Sequence, residues 1–246
     1  MLEIRSVEQW FQSGAGILRV IDKLSLSIDD GQFVVFLGPS GCGKSTLLRL
    51  IAGLESPSAG NILIDGGAPD PRSKHTLGFV FQEPALLPWR TLQRNVVLGL
   101  EARGVPGSQR RKHAAQMLHL LGLKGFETFY PHQVSGGMKH RAAIARAFVL
   151  DPIILLMDEP FVALDAQTRE DLQQELIRIW TRQRRTVVFV THSLEEAILL
   201  GTRVIVFGRR PASVVLDRKV DLPYPRDPVH ADFVSLRQEL RGLLAH

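Results

Sequence analysis

The sequence predicts an α/β protein with a parallel sheet sandwiched by helices. Apolar runs of strand length occur at Phe33–Leu37, Leu77–Phe81, Ile153–Met157, Thr186–Val190 and Val204–Phe207, separated by stretches of helical period. Several of these runs are continuous instead of alternating, as strands covered on both faces require. The length of 246 residues exceeds the ~150 of an ordinary domain, so one large domain or a core with an inserted lobe fits it.

Taken in order, Leu24–Ser25–Leu26–Ser27–Ile28 alternates apolar and polar residues as a half-buried strand does, and Asp29–Asp30–Gly31 supplies a turn. The buried strand Phe33–Leu37 runs into the glycine-rich residues 38–43, and Lys44 to Ala52 reads as a helix ended by Gly53. Between Gln82 and Asp151 the character changes. Helical patterns appear around Asn95–Ala102, Gln109–Leu121 and Ser135–Leu150 without a convincing strand, which predicts an inserted helical lobe over 83–151. The strand and helix rhythm then returns, with residues 172, 176, 179 and 180 forming one apolar face of a helix over Asp165–Gln183. The expected organisation is a single domain, with 1–82 and 152–217 as the core. Beyond Val220, Leu-Pro-Tyr-Pro-Arg-Asp-Pro reads as a linker, and Phe233, Leu236, Leu240 and Leu243 mark a short amphipathic helix, together filling 218–246.

Apolar residues are 45% and charged residues 22% of the chain, near the averages for globular proteins, which excludes a disordered chain. No apolar run approaches the ~18 residues of a membrane-spanning helix. Glu3, Arg5 and Glu8 interrupt the first ten residues, so no secretory leader is expected, and the single cysteine, Cys42, fits a reducing compartment. The net charge is +5. The basic clusters Arg110–Arg111–Lys112 and Arg182, Arg184 and Arg185 read first as solvated faces, although such a surface suits any polyphosphate or anionic membrane.

The densest chemistry lies in Gly38-Pro39-Ser40-Gly41-Cys42-Gly43-Lys44-Ser45-Thr46, which satisfies G-x-x-x-x-G-K-[ST] between a buried strand and a helix. Glycines let successive N–H groups turn toward phosphate oxygens, and the helix N-terminus adds partial positive charge. Lys44 is expected to neutralise β- and γ-phosphates and Ser45 to hold Mg²⁺. Cys42, beside a cation at the helix start, is expected to be alkylated readily and shielded by MgATP. A second strand ends in Asp158-Glu159-Pro160. Two adjacent carboxylates at a strand end are costly unless a cation or proton transfer uses them, so Asp158 is read as a Mg²⁺ partner through water and Glu159 as the general base. Gln82 can orient water or Mg²⁺, or be simply an exposed strand end. His192 can donate to a γ-phosphate, or be an ordinary polar residue before the capping box Ser193–Glu196. Ser135, Gly136 and Gly137 offer a hydroxyl and open N–H groups to an anion at the start of a helix, or form a flexible N-cap.

The order of these pieces resembles one family, the ATP-binding subunits of ABC transporters. GPSGCGKST at 38–46 looks like its phosphate loop, Gln82 in VFQEPALLPW like its glutamine loop and VSGGM at 134–138 like its signature. LLMDEP at 155–160, ALD at 163–165 and His192 complete the set. The resemblance spans about residues 2 to 217 and implies a P-loop NTPase core with N-terminal antiparallel strands and a helical lobe. It also implies ATP and Mg²⁺ as cofactors and an aromatic ring on adenine. Phe11 or Trp10 stands where that ring falls and spacing does not choose between them; Phe11 is favoured, with Trp10 equally readable as a core residue. LLPWRT at 86–91, DEPFVALDAQTRE at 158–170 and the ending DLPYPRD are similar to the nitrate, aliphatic sulfonate and taurine importers. Met138 stands where the general signature has glutamine. Val162 stands where glycine is usual before ALD, so the loop from Pro160 to Asp165 is expected to be rearranged.

The resemblance implies an ATPase that works as a head-to-tail dimer, with Ser135 and Gly137 completing the partner copy's site. It implies membrane permease subunits, for whose contact Leu87, Pro88 and Trp89 are candidates that read almost equally well as core residues, and an extracytoplasmic solute-binding protein, with no nucleic acid. The place implied is peripheral, on the cytoplasmic face of the inner membrane. A soluble ATPase of the same type acting on nucleic acid or ribosomes is the alternative, against which stands the lack of a second cassette or a coiled-coil insertion. A small-metabolite kinase is opposed by Ser135–Gly137 and His192.

Overall fold

The computed structural model describes residues 1–14, 16–69, 77–162 and 164–244. The chain divides into two units, Met1–Ser73 with Arg185–His246, and Lys74–Arg184.

The first unit begins with two long strands, β1 (Leu2–Ser13) and β2 (Gly16–Ile28), paired antiparallel from Leu2 opposite Ile28 to Ser13 opposite Gly16. Only the last part of β2 shows clean alternation in the sequence. Elsewhere the pairing shifts register between Ile4 and Val7 and again toward Trp10, and Ser6 turns left-handed at φ 47°, so a bulge breaks the period of two. The strand β3 (Phe33–Leu37) is buried along its whole length, as its apolar run requires. The helix α1 (Lys44–Ile51) follows the glycine-rich loop. It ends where Gly53, at φ +69°, donates to Leu50 and Leu54 donates to Arg49, a left-handed cap that satisfies the last carbonyls. The strand β4 (Ala59–Ile64) pairs antiparallel with β1. At Gly60 a Cβ would lie 2.2 Å from the Ser6 carbonyl, so only glycine lets β4 approach the bulge.

In the second unit β5 (Leu77–Val80) leads into α2 (Leu92–Val96), α3 (Leu98–Ala102), α4 (Gly107–Leu120) and α5 (Gly136–Phe148). The pattern expected as one helix over Asn95–Ala102 is two short ones. The break falls at Val97, which stays in the right-handed helical region at φ −77°, ψ −2°, where adjacent β-branched residues and Gly99 lower helix propensity. The strand β6 (Ile154–Asp158) is parallel to β5, and α6 (Ala166–Gln183) buries Leu172, Leu176, Ile179 and Trp180 as its pattern predicts.

The chain returns to the first unit with β7 (Thr186–Thr191), α7 (Leu194–Leu200), β8 (Arg203–Phe207), β9 (Val214–Lys219) and α8 (Ala231–Leu244). There β7 and β8 flank β3 in parallel, and β9 closes the edge antiparallel to β8. The sequence hides β9 because its side chains are almost all exposed. A fork from Arg203 to both Asp217 oxygens, at 2.7 and 2.5 Å, helps to hold it. Residues after Val220 pack instead of trailing. Phe233, Leu236 and Leu240 are buried on α8, while the side chain of Leu243 lies outside the described set. No helix among the described residues is long and apolar enough to cross a membrane.

Candidate functional site

In the first unit the loop at 38–43 is shaped by close approaches. A Cβ on Gly38 would sit 2.8 Å from the Phe207 carbonyl, and Gly43, at φ +119°, is the N-cap of α1. No side chain caps α1 and its first turn holds no acid, so this helix end favours an anion. Lys44 is buried, with Nζ donating to the carbonyls of Gly38 and Pro39 at 2.8 Å each, which places the ammonium inside the curl of the loop. Pro39, Ser40 and Gly41 are exposed on the rim, while Ser45 and Thr46 are half-buried in the first turn.

Cys42 corrects the expectation of a reactive thiol. It is 2% exposed, with Sγ 3.7 Å from Lys44 Nζ, and fills the space behind Gly38. Position in the sequence places a thiol near a helix start but cannot tell which way it points.

On β1, Trp10 and Phe11 are 36% and 41% exposed, so the core reading of Trp10 fails. Successive strand residues face opposite ways, which means that one flat ligand face meets one of them. His192 is exposed just beyond β7, between two anchored neighbours. Thr191 Oγ1 donates to the buried carboxylate of Glu196 at 2.5 Å, and Ser193 caps α7 by accepting from the Glu196 N–H at 3.2 Å.

In the second unit β6 delivers Asp158 and Glu159. Asp158 is buried at the strand end, and Glu159 is half-buried with φ 43°, a left-handed backbone that a glutamate adopts only when its surroundings impose it. Val162 is exposed and is not among the described residues of positive φ, so it does not need the freedom of glycine. Among the described residues of this loop the left-handed one is Glu159 itself. Ala163 lies outside the described residues. Asp165 caps α6, and the Thr168 N–H that it accepts at 2.9 Å holds its carboxyl below the usual carboxylate range.

Gln82 is exposed two residues after β5. Ser135 caps α5, accepting from the Met138 N–H at 3.3 Å, with Gly136 and Gly137 in the first turn. A Cβ on Gly137 would come within 2.9 Å of Thr168 on α6, whereas nothing lies near Gly136. Trp89 is 70% exposed on a loop held by the buried Asn95, which accepts from the Leu87 N–H at 2.6 Å and donates to three carbonyls, those of Leu87, Arg90 and Thr91. Asn95, and the α5 residues His140 and Arg146, escaped the sequence reading because their partners are backbone atoms that carry no residue signal.

Ser45 in the first unit, and Gln82 and Asp158 in the second, each carry an oxygen donor of the kind that Mg²⁺ takes, an ion that needs few protein ligands and keeps waters and substrate phosphates. A set of three or more acids, histidines or cysteines that could hold a metal does not occur among the described residues, and the Mg²⁺ chemistry of a phosphate site does not need one.

Residues 21–162 match the ABC transporter family. The chain is 44% identical over 244 residues to an ABC transporter ATP-binding protein of Methanocaldococcus jannaschii, covering 99% of this chain and 91% of that one. It is 40% identical over 241 residues to the aliphatic sulfonates import ATP-binding protein of Bacillus cereus, covering 97% and 94%. A solved dimeric ATP-binding cassette in a post-hydrolysis state, bound to ADP and Pi, superposes with a TM-score of 0.81 at 34% identity, covering 91% of this chain and all of that one. A glycine-bent loop around a buried lysine, ahead of an uncapped helix, is the expected core of such a cassette. The chain therefore belongs to the ABC transporter family, as an ATP-binding subunit whose ATPase activity is coupled to transport.

Proposed function

We propose that this subunit energises import of a small anion, such as nitrate, an aliphatic sulfonate or taurine, through a separate membrane permease. Kinship with the sulfonate import protein supports this, extending over nearly the whole length of both chains. On this reading the whole chain is one ATP-binding domain, with 1–82 and 152–217 as its core, 83–151 as the helical lobe and 218–246 as a packed tail. It is peripheral, held on the cytoplasmic face of the inner membrane by permease subunits that receive Trp89 and its neighbours. An extracytoplasmic binding protein presents the solute.

The observation that carries the chemistry is the loop around Lys44, whose ammonium already sits among loop carbonyls. Residues 38–46 hold the phosphates of ATP, and Lys44 offsets charge on the β- and γ-phosphates as it develops. Ser45, Gln82 and Asp158 hold Mg²⁺, which supplies charge neutralisation of the phosphates. Glu159 accepts the proton of the attacking water, the water oxygen bonds to the γ-phosphorus, and the bond to the bridging oxygen of ADP breaks. His192 donates to the γ-phosphate, and Phe11 stacks on adenine. Two copies pair head to tail, each presenting Ser135, Gly136 and Gly137 to the ATP of the other.

The test is ATP hydrolysis by this subunit reconstituted with its permease in vesicles. Stimulation by a binding protein loaded with sulfonate, nitrate or taurine supports the reading. Stimulation by none of them, with nucleic acid stimulating instead, contradicts it.

A further inference from the structure

The start of the segment that follows β5, residues 82–85, is gripped by α5. Arg146, on α5, donates from Nη1 to the Ala85 carbonyl at 2.7 Å and from Nη2 to the Pro84 carbonyl at 2.9 Å. Burial pushes this guanidinium below the usual arginine range, as expected of a group partly withdrawn from water and satisfied by fixed carbonyls. Ala85 takes a left-handed backbone, φ 45°, that an alanine adopts only under outside constraint. His140, one turn into the same helix, is buried between two carbonyl oxygens, with Nδ1 3.0 Å from that of Gly136 and Nε2 3.3 Å from that of Gln82. Carbonyls only accept, so a ring nitrogen makes such a bond by donating its N–H. One helix therefore grips main-chain carbonyls of Gln82, Pro84 and Ala85 while its own first turn carries Ser135, Gly136 and Gly137.

We infer that His140 and Arg146 are positioning residues that fasten the Gln82 segment to the signature helix, so that Gln82 and Ser135–Gly137 move as one piece. The inference rests on the reading in which Gln82 serves the ATP of its own chain and Ser135–Gly137 that of the partner. The helix α5 then joins the two ATP sites of a pair, and a shift at one is felt at the other through three carbonyls. Anchoring the carbonyl of Gln82 fixes the base from which its amide reaches. A displacement of an ångström there is costly to turnover, though it leaves the phosphate loop, in the other unit, unaltered.

The test compares His140→Leu, His140→Gln, Arg146→Ala and Arg146→Lys in the full chain, with Gln82→Ala and Ser135→Ala as references. Steady-state MgATP hydrolysis, ATP binding and the thermal midpoint are measured for each. His140→Leu and Arg146→Ala are expected to lower kcat by about 10–100-fold while KM and ATP binding change by less than about threefold. His140→Gln, whose amide can donate, restores most of kcat. Arg146→Lys restores less, because an ammonium lacks the planar fork for two carbonyls. A packing role alone would lower the midpoint and leave kcat per folded molecule unchanged, which overturns the inference. So would wild-type turnover in His140→Leu and Arg146→Ala while the two references are impaired. Should His140→Leu not fold, the Arg146 pair decides by the same criteria. Wild-type turnover in both references refutes the roles of Gln82 and Ser135, and the inference falls with them.

Discussion

Lys44 gathers the phosphate site, and its own contacts say what its loss does. Lys44→Ala removes the cation that two loop carbonyls now hold, so it exposes those carbonyls to the incoming phosphates. ATP turnover is expected to fall by at least about 10²-fold, measured as phosphate release. Cys42 is the opposite case, a residue whose neighbourhood invites a reactive role that its burial denies. Alkylation of the folded chain should be far slower than in urea and little altered by MgATP, as mass spectrometry of the labelled peptide can show. Glu159 combines the side chain proposed as the general base with a left-handed backbone. Glycine pays no steric cost there, so Glu159→Gly should be more stable than Glu159→Ala by about 1 kcal/mol, although both are inactive. Comparing the two in urea removes the shared loss of the side chain. The sequence made the residue types of the site legible, because chemistry demands them in order. It could not reveal that Glu159 takes a left-handed backbone, since that depends on backbone closure between β6 and α6.

Elements were legible where burial is uniform. The strands β3, β6 and β7 read as apolar runs, and α6 as a single apolar face, because a covered strand or a one-sided helix leaves a periodic mark. Most of β1 was not legible, since its bulges break alternation, and β9 was not, since it faces solvent. The ending DLPYPRD read as a linker by its prolines, yet it caps α7. Arg226 donates from Nη1 to the carbonyls of Ile198 and Gly201 at 2.5 and 2.6 Å and lies over the ring of Tyr224, which itself donates to Leu200 at 2.5 Å. Burial pushes this guanidinium too below the arginine range. Because α7 begins just after His192, the cap steadies the helix that follows that residue. Arg226→Ala leaves several carbonyls unsatisfied at a helix C-terminus and should cost about 2–4 kcal/mol in urea unfolding. Arg226→Lys, which keeps charge but not the fork, should fall between.

At the scale of the molecule, motif order was the most informative feature of the sequence. Six short segments in a fixed order specify a family that no single one of them could. What order cannot give is how each segment is held: the carbonyl grip of α5 on residues 82–85, the Asn95 brace under Trp89, or the Arg226 cap. These are bonds from side chains to backbone, and backbone atoms are the same in every residue. On the proposed function two copies close over ATP and Glu159 takes the proton of the attacking water. Glu159→Gln keeps shape and hydrogen-bonding reach but cannot accept that proton, so hydrolysis should fall by roughly 10²–10⁴ while binding survives. The direct measurement is size-exclusion chromatography of Glu159→Gln with and without ATP, with phosphate release assayed on the same sample. The expected result is a dimer that forms only with ATP and hydrolyses almost none of it; normal hydrolysis, or an inactive mutant that binds ATP and still elutes as a monomer, would refute the proposed function.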